Sequence, residues 1–124
     1  MMIIEHDLDY IKSDYNWVEV FKYANPEKCV DDEDISTESF TMDDISEIKA
    51  LVDGQNDQDD WIAIFKLKDG RFAFIVAWCD FTGWGWQEGG QSLVSSGFLS
   101  LMRFGVGIED RIRLGFYEEE SMRN

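Results

Sequence analysis

Between Ser13 and Ala24 the apolar residues Trp17, Val20, Phe21 and Ala24 fall at i, i+3, i+4 and i+7, the stripe of an amphipathic helix. Ser13 or Asp14 can cap it, and Asn25-Pro26 stops it. Ile45, Ile48, Leu51 and Val52 form a second stripe, preceded by Thr41 and Asp44 in a capping arrangement and closed by Asp53-Gly54, so the spacing predicts a second helix over 42–52. Cys29 to Glu38 reads as an acidic connector, a loop or a helix end.

The pattern then changes period. Trp61–Lys68 and Arg71–Cys79 flank Asp69-Gly70, a strong hairpin signal. Setting Lys68 opposite Arg71 places Leu67 against Phe72, Phe65 against Phe74, Ala63 against Val76 and Trp61 against Trp78, one wholly apolar face. The other face, Ile62, Ile64, Ala73, Ile75 and Ala77, is apolar too, which predicts a hairpin covered on both sides. Asp80 to Gly90 reads as a loop or irregular strand, Gln91–Ser95 as a returning third strand, and Gly97–Phe104 as a short helix closed by Gly105. Ile108–Leu114 adds a last helical turn before Gly115, and Glu118–Asn124 reads as a frayed polar tail. The fold class predicted is α+β: a three-stranded antiparallel β-meander over 61–95, an acidic helical part over 13–52 with two N-terminal helices, and a short C-terminal helical segment, all in one domain over 1–124.

Composition agrees with a packed domain, since the 124 residues are 44% apolar and 15% aromatic, enough for a core without disulfides or metals. The first residues carry neither a basic leader nor an apolar run of signal length, so a cytoplasmic location is expected, the host cytoplasm if the protein is phage-encoded. Cys29 and Cys79 then read as two free thiols. Charge alters the picture most. The formal net charge is -15, and residues 1–60 carry 18 Asp/Glu against four Lys, whereas residues 61–124 carry eight against seven Lys/Arg. A solubilising coat of the halophilic kind would extend over both halves.

Lys66-Leu67-Lys68-Asp69-Gly70-Arg71-Phe72, Cys79-Asp80-Phe81-Thr82-Gly83-Trp84 with Gln87, and a helix ending in Arg103-Phe104-Gly105 carry a resemblance to a group of small uncharacterised phage and bacterial proteins. It covers roughly 42–115. The resemblance implies a phage or prophage setting and a compact domain; that group has no established activity.

Several chemistries can be set aside from the residues themselves. Cys79 is followed by an acid, which raises a thiol pKa, and His6 is the only histidine, so a cysteine nucleophile lacks its base. Cys29, Cys79 and His6 are too scattered for a zinc site. Asp53–Asp60 resembles the start of a calcium loop, but Gln58 occupies the glycine position and Ile64 the bidentate glutamate position. Gly83-Trp84-Gly85-Trp86 lacks the spacing and the lysine of a phosphate loop. No cofactor and no metal are expected, and direct nucleic-acid binding is disfavoured by the charge.

What stays open is the acidic surface. It is either a solvated coat or a surrogate for a nucleic-acid backbone, because carboxylates about 5–6 Å apart on rigid elements can occupy a basic groove built for phosphates. The expected partner-binding residues are Asp31, Asp32, Glu33, Asp34, Asp43, Asp44, Glu47, Asp57, Asp59 and Asp60, with Trp84 and Trp86 either exposed anchors or caps on the sheet edge. The expected function is a non-enzymatic inhibitor that binds a basic nucleic-acid-handling host protein, such as a CRISPR effector or a restriction enzyme. Two alternatives remain: an immunity or antitoxin-type protein neutralising a basic toxin, and a small enzyme with a carboxylate site in the Asp80 loop.

Overall fold

The structure, a computed structural model, describes residues 8–26, 35–36 and 39–116. Cys79 is a free thiol, as expected, while the expectations for Asp31, Asp32, Glu33 and Asp34, for a free Cys29 and for the tail over 118–124 lie outside the described residues. The first stripe folds as expected. Helix α2 (Tyr15–Tyr23) is capped by Asp14, whose carboxylate accepts the Trp17 N–H at 3.0 Å, and it buries Trp17 and Val20. A short helix α1 (Leu8–Ser13) precedes it and buries Ile11. Beyond Ala24 the chain continues as β1 (Asn25–Pro26), and β2 (Ile35–Ser36) is equally short.

The second stripe is a strand. Thr41 and Asp44 do cap, with the Thr41 N–H donating to the Asp44 carboxylate at 2.8 Å, but they close only one 3-10 turn at Met42–Asp44. Ile45–Val52 then runs as β3, paired antiparallel with β4 (Trp61–Leu67). Its register slips twice, between Ile45 and Glu47 and between Ile48 and Ala50. Each slip leaves an extra residue on β3, so Ile45, Ile48 and Leu51 return to one face every third position instead of every second. Bulges in an edge strand thus copied the spacing of a helix, and the expected helix over 42–52 is corrected to strand.

β4 is followed by β5 (Phe72–Asp80) and the long β6 (Gly83–Ser95), each antiparallel to the one before. Among the described residues the sheet has six strands, five of them in the order β1-β6-β5-β4-β3, with β2 paired separately to β6 and β1 parallel to it, so the expected three-stranded sheet was too small. The expected hairpin register is also one residue out. The Gly70 N–H donates to the Leu67 carbonyl at 3.0 Å, the Leu67 N–H donates to the Arg71 carbonyl at 2.8 Å, and Gly70 sits at φ +93°. Lys68-Asp69-Gly70 is therefore a three-residue connection with glycine in the left-handed position. Trp61 then faces Ala77, Phe65 faces Ala73 and Lys66 faces Phe72. Phe65 and Phe74 point to opposite sides of the sheet.

Both sides are covered, as the apolar runs predicted. Ile11, Trp17 and Val20 pack on the face formed by Ile48, Leu51, Trp61, Phe65 and Ile75. Phe98, Leu101, Met102, Val106 and Leu114 pack on the other, formed by Ile62, Ile64, Phe74, Val76 and Leu93. This second cover is α3 (Phe98–Ser100), a wide π-type turn at Leu101–Gly105, and α4 (Ile108–Arg113). No described helix is long and apolar enough to cross a membrane.

Candidate functional site

At the end of β3 the chain reaches Asp53, whose carboxylate accepts the Trp17 indole N–H at 2.7 Å and the Tyr10 hydroxyl at 3.1 Å. Burial, and then the Asp53 carboxylate, hold the Tyr10 phenol above its ordinary pKa. Asp53 thereby ties both N-terminal helices to the sheet. The residues after it fold back on themselves. Gln55 and Asp59 exchange backbone hydrogen bonds at 2.8 and 3.2 Å, and the Asp57 N–H donates to the Cys79 carbonyl at 2.9 Å, with Asp57 in the left-handed region at φ 61°. This seam fixes the acidic loop against β5.

Between the loop and the paired ends of β5 and β6 lies a cleft of about 470 Å³, lined by Asp57, Asp59, Asp60, Asp80, Glu88 and Trp78 together with three glutamines and Cys79. Among the described residues, no lysine or arginine lines it. Trp78 was expected in the core opposite Trp61; it faces Gly89 instead and is 46% exposed. A Cβ at Gly89 would fall 2.5 Å from the Trp78 ring, so the missing side chain gives the indole its seat against β6. Asp80 is oriented by Thr82, whose N–H at 2.9 Å and hydroxyl both donate to its carboxylate. Burial raises the pKa of Asp60, opposed by Arg113, which donates to the Asp60 carbonyl at 2.9 Å and so ties α4 to the loop. Burial raises Asp110 on α4 too, and Asp60 adds to the effect.

Cys79 is buried at the cleft's edge, its thiol 3.4 Å from the Asn56 side-chain oxygen to which it donates. Burial, followed by Asp80 and Glu88, pushes its pKa up, which favours the neutral thiol over the nucleophilic thiolate. Among the described residues no group of three or more His, Cys, Asp or Glu is arranged to hold a metal ion.

The expected site residues divide between the two ends of the sheet. Asp57, Asp59 and Asp60 meet in the cleft, joined by Asp80, Glu88 and Trp78, which sequence reasoning had not grouped with them. Asp43, Asp44 and Glu47 lie at the hairpin end, about 20 Å away along the eight residues of β3. There Asp43 approaches Lys12 at 3.8 Å, Glu47 pairs with Lys49 at 3.3 Å, and Asp44 serves its turn. Trp84 is packed rather than displayed: its indole N–H donates to Asn16 at 3.0 Å, and its ring stacks on Tyr23 at 5.9 Å and leans on Trp61 at 5.2 Å. Trp86 belongs to β6 by its backbone, and its side chain lies outside what the structure describes. The one signal that could have assembled the cleft is cross-strand register, which sets Cys79 opposite Glu88 and Trp78 opposite Gly89. Compared with protein-family models, with curated proteins and with solved structures, the chain matches none.

Proposed function

We propose that this chain is a non-enzymatic acidic binding protein that takes a basic segment of a protein partner into the cleft between residues 55–60 and the ends of β5 and β6. The partner in this reading is a nucleic-acid-handling host protein, whose phosphate-binding side chains the cleft engages in place of nucleic acid. The observation that carries the reading is the lining, which among the described residues has five carboxylates, no cation and one half-exposed indole. An arginine suits that lining best, because its planar guanidinium forks onto carboxylates and stacks on an aromatic face, whereas a lysine offers a point charge. The volume lies in the range of roughly 300–1,000 Å³ typical of ligand pockets. The resemblance to small phage and bacterial proteins supplies a setting in which such a partner is a defence nuclease.

The test is calorimetric titration with a short oligoarginine peptide and its oligolysine counterpart, at low and at physiological salt. Oligoarginine should bind more tightly, and both should weaken as salt rises. Neutralising the cleft with Asp57→Asn, Asp59→Asn and Glu88→Gln should weaken oligoarginine by roughly tenfold or more, about 1.4 kcal/mol. The hairpin-end set Asp43→Asn and Glu47→Gln should change it less than about twofold. Equal losses from the two sets would mean that overall charge, not the cleft, holds the peptide. Once a partner is in hand, bound nucleic acid should exclude this chain; a complex that holds both would favour the toxin-neutralising reading, with Trp78 and the exposed Phe81 as anchors.

A further inference from the structure

The acidic wall of the cleft is fastened both from within and from the C-terminal layer. Gln55 and Asp59 close the loop on itself, and the Asp57 N–H holds it to the Cys79 carbonyl of β5. The base of the loop is tight, since a Cβ at Gly54 would fall 2.5 Å from the Asp59 carbonyl and 2.6 Å from the Trp61 ring. Asp60, where the loop passes into β4, is held from α4: the Arg113 guanidinium donates to its carbonyl at 2.9 Å. α4 is anchored in turn by Leu114, which is fully buried in the core on that side of the sheet. Asp60 lines the cleft, whereas Arg113 does not.

From this we propose that Arg113 is a positioning residue of the cleft, holding the Asp60 end of the acidic loop from α4 so that the loop carboxylates stand ready for a basic ligand. The proposal rests on the cleft reading given above. A cation beside an acidic site has two opposed effects on such a ligand. Through space it repels the ligand, so its removal would tighten binding. Through the Asp60 carbonyl it keeps the loop in its binding arrangement, so its removal loosens the wall and weakens binding. The second effect wins here, because Arg113 stands outside the lining and its charge is partly offset by Asp110, three residues earlier on α4. Arg113 also acts on the Asp60 carboxyl. That group meets Asp57 and Asp59 on its own loop, Asp110 and Arg113 on α4, with Glu109 acting on Asp110, and Asp80 and Glu88 across the cleft. Burial raises the Asp60 pKa, Arg113 opposes the rise and Asp59 adds to it. Without the guanidinium, Asp60 takes up its proton at higher pH and the cleft loses that charge earlier on acidification.

The test compares the full-length wild type with Arg113→Gln and Arg113→Lys, by amide hydrogen exchange without ligand and by titration with oligoarginine. In Arg113→Gln the Asp57 and Asp59 amides should exchange roughly fivefold faster or more, while the amides of β4 stay protected as the folding check. Oligoarginine should bind roughly three- to fivefold more weakly at about pH 7, and the loss should widen towards about pH 5 as Asp60 protonates. Arg113→Lys keeps the cation and a donor, so it should recover most of the affinity and the wild-type pH profile; a loop that merely needed an arginine for packing would not return that profile. Wild-type exchange at Asp57 and Asp59 in Arg113→Gln would overturn the proposal, and so would oligoarginine binding in that variant as tight as in the wild type or tighter. Faster loop exchange in a protein whose wild type takes no oligoarginine would keep Arg113 as the holder of the loop and remove the cation-binding reading instead.

Discussion

The two ends of the sheet carry similar numbers of carboxylates and use them in opposite ways. At the hairpin end the acids have local partners: Asp69 pairs with Arg71 at 2.9 Å, Glu47 with Lys49, Asp43 with Lys12, and Asp44 caps its turn. At the loop end Asp57, Asp59, Asp60, Asp80 and Glu88 line a cleft whose described lining includes no lysine or arginine. Acid density along the chain therefore does not by itself locate a site. What distinguishes the loop end is a crowd of carboxylates held on a loop that its own backbone hydrogen bonds fix in place, with Arg113 of α4 offsetting Asp60. Like charges gathered in this way repel one another, which is why the functional reading rests there.

Asp53 should show the largest effect, because it adjoins the acidic loop yet its carboxylate holds Trp17 and Tyr10. Asp53→Ala should remove two hydrogen bonds to a carboxylate and leave the buried Trp17 indole without that acceptor, at a cost of about 2–3 kcal/mol and roughly 8–15 °C in Tm. Asp59→Ala, a few residues on, should stay within about 0.5 kcal/mol of wild type. Thermal denaturation of the two proteins side by side decides the matter; similar losses would mean that the loop acids are structural as well.

A smaller effect is expected from Gly89→Ala, which sharpens the account of the cleft wall. The added Cβ must displace the Trp78 ring, and because that ring is half exposed it can move at a cost below about 1 kcal/mol. Affinity for oligoarginine should fall roughly fivefold while that for oligolysine changes little, since only the guanidinium stacks. Equal changes for both peptides would remove Trp78 from the recognition scheme.

Acidification should produce the smallest effect, with opposite signs at the two ends. Asp60 and Asp110 have raised pKa values in the folded chain. As pH falls the folded state therefore takes up these protons before the unfolded state does, and stability rises. Arg71 lowers the pKa of Asp69, through its backbone N–H first and its side chain second, so the stability from that group is present above its unfolded pKa and is lost as pH falls through the folded value. Tm should climb by roughly 1–3 °C from about pH 7 to about pH 5, then drop in stronger acid. Asp60→Asn with Asp110→Asn should flatten the climb and leave the drop; a Tm that falls steadily from pH 7 would contradict the burial argument for both residues.

Helix α2 was legible because every device agreed: a capping Asp14, apolar residues on one stripe and Asn25-Pro26 at its end. The core character of 61–79 was legible as well, since apolar residues on both faces of the hairpin require cover on both. The strand at 45–52 was not, because two bulges gave it three-residue spacing, and bulges are set by the partner strand rather than by local preference. The cleft was legible only in its first wall, Asp57, Asp59 and Asp60. Its second wall required the pairing of β5 with β6 and the turn conformation at Lys68-Asp69-Gly70.

By itself the chain determined its net charge and the crowding of that charge into the first 60 residues, the α2 helix, the reversal around Gly70 and the presence of two apolar sheet faces. These are properties of composition and of neighbours a few positions apart. Only the tertiary structure decided which carboxylates stand together and which have cations beside them, and that Trp78 faces the cleft while Trp84 is packed under α2. The physical reason is the two-residue period of a strand: a single-residue change of register turns every side chain to the opposite face, and register is settled by contacts between strands that lie far apart in sequence.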